Sequence, residues 1–136
     1  MEERLNIGVL GAGYWGRKVI NEYLQLQKTN PNVHLAKVCD LIDDNLSFCK
    51  DQLHLRKDTL TSEFGDLLGS DVDALHICTP QETHYKLGLE ALRAGKHVLL
   101  EKPMAMNTQD AWALCDVAED EHLCLQVGHI YRFNIL

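Results

Sequence analysis

The sequence predicts an α/β fold with a doubly wound, mostly parallel sheet covered by helices on both faces. Three observations carry this expectation. Short apolar runs alternate with segments of helical periodicity along the chain, the first run ends in the glycine cluster Gly11, Gly13 and Gly16, and a helical pattern opens directly from that cluster. Alternation of this kind needs right-handed crossovers between parallel strands.

Leu5 to Leu10 reads as the first strand, and Val19, Ile20, Tyr23 and Leu24 mark the buried side of the helix after it. Asn30, Pro31 and Asn32 break the chain, and Val33 to Cys39 supplies a second strand closed by Asp40. A helix from about Asp43 to Leu53 follows. The stretch Arg56 to Ser62 is ambiguous between loop and a short third strand. Glu63 to Leu68 reads as a helical turn, and Ala74 to Cys78 as a strand stopped by Thr79 and Pro80.

From Gln81 to Ala94, Tyr85, Leu89 and Leu92 recur at helical spacing, with Gly95 placed as the C-terminal cap. His97 to Leu100 forms the next strand, followed by Glu101, Lys102 and Pro103. A helix begins near Asn107, which can cap it while Asp110 reaches back, and Ala111, Leu114, Cys115 and Ala118 form its expected buried stripe. Leu123 to Val127 is the last strand, leaving Gly128 to Asn134 beyond its carboxyl end.

Composition narrows the function. The 136 residues suit one domain, 46% hydrophobic and 24% charged, as in ordinary globular chains. A net charge of -7 with scattered Lys and Arg argues against a nucleic-acid surface. The longest apolar runs are too short to span a bilayer, and Met1 to Arg4 does not resemble a signal peptide, so a cytoplasmic protein is expected. Five cysteines without C-x-x-C spacing read as mostly buried thiols, and the seven histidines show no paired metal-ligand spacing, so no metal is expected.

The cluster Gly11-Ala12-Gly13-Tyr14-Trp15-Gly16 has the G-x-G-x-x-G spacing of a dinucleotide loop. Gly11 permits the tight turn, Gly13 lets backbone approach a pyrophosphate, and Gly16 lets helix and strand pack closely. The helix start, including the Tyr14 and Trp15 N–H groups, offers donors and a positive dipole to phosphate. Asp40, 24 residues after Gly16, is placed to accept hydrogen bonds from ribose hydroxyls. Its carboxylate would repel the 2'-phosphate of NADP, favouring NAD, although Lys50, Arg56 or Lys57 could soften that preference. The same loop and acid also suit a methyltransferase that binds S-adenosylmethionine.

Thr79 and Pro80, Glu101 to Pro103, and Gly128 each follow an expected strand, so they should gather on the edge that carries the glycine loop. Lys102 then stands where a substrate hydroxyl would approach. A partly desolvated ammonium there could share the hydroxyl proton or stabilise a developing alkoxide.

The ordered set of motifs resembles the Gfo/Idh/MocA oxidoreductases over almost the whole chain. It comprises the glycine loop, Asp71 to Ala74, Thr79-Pro80 with His84, Ala94 to Val98, Glu101-Lys102-Pro103 and Arg132-Phe133-Asn134. The resemblance implies a catalytic role for Lys102 and places Thr79 and Pro80 at the nicotinamide ribose and Glu101 beside the cofactor; His84, in the first turn of its helix, reads as a surface residue, a local hydrogen-bonding partner or a direct cofactor contact. The resemblance also implies oxidation of a sugar or cyclitol hydroxyl. Gly128 to Asn134 is similar to the version in members acting on nucleotide-linked amino sugars.

Family members carry a second α/β domain that walls the substrate site. Residues 1–136 are therefore expected to be the dinucleotide-binding domain alone, ending at the domain border, where Ile135 departs from the usual Asn-Pro. Cut from a longer and commonly oligomeric enzyme, such a domain would bind NAD with little or no turnover. The alternative is a stand-alone NAD sensor.

Overall fold

The computed structural model describes residues 4–69 and 71–133. Six strands form one parallel sheet in the order β3-β2-β1-β4-β5-β6. The strands are β1 (Leu5–Leu10), β2 (Val33–Cys39), β3 (Leu60–Thr61), β4 (Ala74–Ile77), β5 (His97–Leu100) and β6 (Leu125–Val127). The helices are α1 (Tyr14–Thr29), α2 (Asp43–Asp51), α3 (Gly65–Leu68), α4 (His84–Arg93) and α5 (Thr108–Asp120). Strand order reverses between β1 and β4, which opens a crevice at their carboxyl ends.

Side-chain alternation along the central strands builds two cores. Ile7 and Val9 of β1 join Val19 and Ile20 of α1, Val38 of β2 and Cys49 of α2 on one face. Leu10, with Leu75 and Ile77 of β4 and Val98 and Leu100 of β5, meets Ala91, Leu92, Leu114 and Ala118 of α4 and α5 on the other. Burial of this apolar surface is the main force that closes the helices onto the sheet. The β1–β2 register skips Ala36 between the pairs Ile7 with Leu35 and Gly8 with Lys37.

The structure differs from the sequence reading in detail. The ambiguous third strand exists but spans two residues, pairing with Val38 and Cys39. The expected helix from Gln81 opens instead as a 3-10 turn over Gln81–Thr83, and α2 stops at Asp51. Asn107 caps α5 by accepting from the Asp110 N–H at 2.8 Å; the return contact runs between the two side chains, from Asn107 Nδ2 to Asp110 Oδ2. Gly95 takes the left-handed conformation after α4, as its capping role requires.

Cys115 is exposed rather than part of the α5 stripe, because the buried line runs through Leu114 and Ala118, one full turn apart. Cys124 is exposed too, and only Cys39 and Cys49 are fully buried, so the expectation of mostly buried thiols is corrected. Asn134, Ile135 and Leu136 lie outside the described residues. No helix among the described residues is long and apolar enough to cross a membrane.

Candidate functional site

The glycine loop is shaped by contact with β4. Gly11 has φ +97°, and a Cβ on it would lie 2.9 Å from the carbonyl carbon and oxygen of Cys78. A Cβ on Gly16 would overlap the Gly11 carbonyl oxygen. Neither position accepts a side chain. At Gly13 an added Cβ meets nothing within 4 Å, so the bare backbone there faces open space. The first turn of α1 has no acidic residue and no side-chain cap, which leaves its N–H groups available to an anion.

Asp40 sits beyond β2 and is tied to this loop. Its Oδ2 accepts from Ala12 N at 2.6 Å and from Asn45 Nδ2 at 3.1 Å, and its Oδ1 accepts from Ile42 N at 2.8 Å. Arg17 reinforces the corner: Nε donates to Ala12 O at 3.2 Å, Nη2 donates to Asn45 Oδ1 at 2.9 Å, and the guanidinium lies 3.9 Å from the Phe48 ring centre. A cavity of about 790 Å³ opens here, lined by Gly11, Gly13, Asp40, Asn45, Thr79 and Pro80 among others. Its basic residue is Lys86; Lys50, Arg56 and Lys57 do not line it, and Arg56 pairs with Asp58.

A second cavity of about 1050 Å³ lies on the same edge of the sheet, lined by Trp15, Thr79, His84, Glu101, Lys102 and Arg132 among others. Cys78 and Thr79 form a wall common to both cavities. The structure thus brings together the glycine loop, Asp40, Thr79, Pro80, Glu101 and Lys102. Tyr14 is 80% exposed and lines neither cavity, with Lys18 Nζ over its ring, so what it offers the site is its N–H.

Lys102 precedes Pro103 through a cis peptide and is exposed, so the described residues do not supply the desolvation that the sequence reading asks of it. His84 is 1% exposed, with Nδ1 2.7 Å from Pro103 O and Nε2 2.9 Å from Thr79 O. It touches the cavity wall while both nitrogens are committed to backbone. Of the readings its sequence position allows, the structure shows it as a hydrogen-bonding partner that links two loops of the site, and as buried rather than on the surface.

Sequence reasoning missed a buried chain behind Glu101. His76 Nε2 lies 2.8 Å from Glu101 Oε1, and His76 Nδ1 lies 3.0 Å from Tyr23 Oη. A carboxylate at Glu101 accepts from Nε2–H, leaving Nδ1 to accept from the tyrosine hydroxyl. Burial lowers the His76 pKa against the opposing pull of Glu101, and burial with the nearby Cys78 and Glu101 pushes Tyr23 up to about 12. The available signal was a histidine on the β4 position that faces α1, where Tyr23 points back. Neither motif nor spacing in the sequence marks the pair.

Cys78 also lies near this chain, and His76, Cys78 and Glu101 are the one grouping of potential metal ligands among the described residues. No sequence spacing foretold it. His76 and Glu101 already satisfy each other, and burial raises the Cys78 thiol, which disfavours thiolate.

The UDP-N-acetylglucosamine 3-dehydrogenase of Acidithiobacillus ferrooxidans is 34% identical over 96% of this chain, and the match covers 38% of that protein. The solved structure of UDP-N-acetylglucosamine 3-dehydrogenase from the same organism superposes with a TM-score of 0.82 at 33% identity, covering 95% of this chain and 40% of that one. Scyllo-inositol dehydrogenase from Lactobacillus casei, solved with bound NAD(H) and scyllo-inositol, superposes with a TM-score of 0.81 at 25% identity, covering 97% and 38%. This chain therefore spans well under half the length of these relatives. The family described as "Oxidoreductase family, NAD-binding Rossmann fold" matches residues 5–129. With its six-stranded parallel sheet, its glycine loop at the point where strand order reverses, and that match, the chain belongs to the Gfo/Idh/MocA oxidoreductases as their NAD-binding Rossmann domain.

Proposed function

We propose that this chain is the cofactor side of a dehydrogenase acting on a hydroxyl of a sugar, nucleotide sugar or cyclitol. The observation that carries the reading is the shared wall at Cys78 and Thr79, which joins the cavity of the glycine loop and Asp40 to the cavity of Glu101 and Lys102. One extended ligand can engage both. The residues fit a dinucleotide: Gly11 and Gly16 leave no room for side chains, Gly13 presents bare backbone, and the first turn of α1 has no cap. NAD is favoured over NADP because Asp40, just beyond β2, lines the smaller cavity beside the glycine loop, where its carboxylate would repel a 2'-phosphate.

When bound, the nicotinamide accepts or releases the hydride. Gly13 and the N–H groups of Tyr14, Trp15 and Gly16 would hold phosphate, and Asp40 would take the ribose hydroxyls. Thr79 and Pro80 would border the nicotinamide ribose, with Glu101 beside it. Lys102 Nζ would hold the proton of the substrate hydroxyl. The similarity to a UDP-N-acetylglucosamine 3-dehydrogenase supports a nucleotide-linked amino sugar as substrate.

Lys102 is exposed, so we assign its covering wall to a second α/β domain and expect the present chain to bind cofactor without turnover. A cytoplasmic, homo-oligomeric parent enzyme completes the proposal. Calorimetric titration with NAD, NADP and S-adenosylmethionine tests it. NAD should bind most tightly; binding of S-adenosylmethionine alone would refute the dehydrogenase reading.

A further inference from the structure

We infer that Asn45 is a second ligand of the adenosine ribose, with its amide turned to that task by Arg17. The inference rests on the proposed cofactor reading and divides between two residues the hydroxyls that the reading gives to Asp40. A carboxylate has about four acceptor sites, two on each oxygen. Oδ2 of Asp40 already takes Ala12 N at 2.6 Å and Asn45 Nδ2 at 3.1 Å, and Oδ1 takes Ile42 N at 2.8 Å. A single site is left for a pair of hydroxyls.

The 2'- and 3'-hydroxyls of a ribose sit on adjacent carbons, so the partner of the second must stand beside Asp40. Among the described side chains that line the smaller cavity, Asn45 is the one hydrogen-bonded to that carboxylate. The backbone N–H groups of Ala12 and Ile42 touch it too, but each is spent there. An amide nitrogen carries two N–H donors, and among the described residues Asn45 uses one of them. The other can donate to the oxygen of one hydroxyl while its neighbour donates to Asp40 Oδ1.

Arg17 decides which end of the amide faces Asp40. A guanidinium only donates, and Nη2 lies 2.9 Å from Asn45 Oδ1; a flipped amide would set N–H against guanidinium N–H and carbonyl oxygen against carboxylate oxygen. Arg17 is held in turn by its bond to Ala12 O at 3.2 Å and by the Phe48 ring against its guanidinium. It does not line the cavity, so it is a positioning residue and Asn45 the ligand. With the ribose shared in this way, Asp40 can keep Ala12 N, and the glycine loop stays pinned while the cofactor is bound.

Calorimetric titration of this chain with NAD and with two analogues, lacking either the 2'- or the 3'-hydroxyl of the adenosine ribose, tests the inference. Wild type should bind NAD more tightly than either analogue, because each hydroxyl has its own partner. If one analogue binds as tightly as NAD, that hydroxyl has no ligand and the inference is overturned without any variant. Asn45→Ala should weaken NAD about threefold to tenfold more than it weakens one of the analogues, the one without the hydroxyl that Asn45 binds. Equal weakening of all three cofactors would make Asn45 a support of Asp40 only, and overturns its role as a ligand. Arg17→Met, which keeps an apolar stem near Phe48, should lose part of the same discrimination; intact discrimination overturns the positioning assignment. Absence of NAD binding in wild type refutes the proposed cofactor reading and this inference together, whereas the other adverse results refute the inference alone.

Discussion

The carboxylate of Asp40 accepts the backbone N–H of Ala12 at 2.6 Å, so the acid that is positioned for a ribose also holds the middle of the glycine loop. Asp40→Ala removes a charge-assisted hydrogen bond from the loop and an acceptor from the cavity. We expect NAD affinity to fall about tenfold or more, with a smaller loss for NADP. Calorimetry on both cofactors checks the order; equal losses would mean that Asp40 acts only on the loop.

Gly16→Ala places a Cβ on the Gly11 carbonyl oxygen, with backbone on both sides of the contact. Such overpacking should destabilise the fold by about 1–3 kcal/mol or more and abolish NAD binding. Gly13→Ala meets no neighbour and should keep its melting temperature while still losing affinity.

In the core, Leu114→Ala empties a fully buried site between α5 and the sheet and should cost about 2–5 kcal/mol in urea unfolding. Cys115→Ser, one residue on, should change stability by under about 0.5 kcal/mol, because its side chain faces solvent. A large effect at Cys115 would contradict the observed rotation of the helix.

The lowered pKa of His76 has a defined sign in pH dependence. Below the ordinary value of 6.5, the unfolded chain binds a proton there that the native state resists, so native stability falls as pH drops from 6.5 toward the depressed folded value. His76→Gln should lose this component, giving a shallower stability profile below pH 6.5. Parallel profiles for the two proteins would remove His76 from the linkage.

For Lys102, the relevant protein is one that joins this chain to a substrate domain. There Lys102→Ala should leave NAD affinity nearly unchanged while turnover falls about 10²–10⁴-fold. Undiminished turnover would assign the proton to another group.

Much of this was legible in the sequence because it is written in local patterns. The strand, glycine loop and helix at Leu5 to Leu24 announce themselves by period and by glycine spacing, and Thr79, Glu101 and Lys102 share an edge because each follows a parallel strand. What escaped depends on contacts between distant elements. Tyr23, His76 and Glu101 meet across two layers, and Arg17 finds Asn45 28 residues away. His84 read as a surface residue, a local hydrogen-bonding partner or a ligand, since nothing local reveals that the Pro103 carbonyl lies against it. Cys115 was misplaced by one step on a helix, where 100° separates the core from water.

The contact between Gly11 and Cys78 also sets an order of events during synthesis. Gly11 leaves the ribosome about 67 residues before its partner, and β1 has only β2 to pair with until β4 emerges. In that interval the nascent loop has the Cys39 carbonyl and the Asp40 carboxylate to bond with, but not the Cys78 backbone against which Gly11 packs. A truncated chain that ends before β4 therefore carries the full glycine motif and yet lacks the Cys78 and Thr79 wall of the cavity, which makes the fingerprint a property of the completed sheet and not of the peptide that spells it.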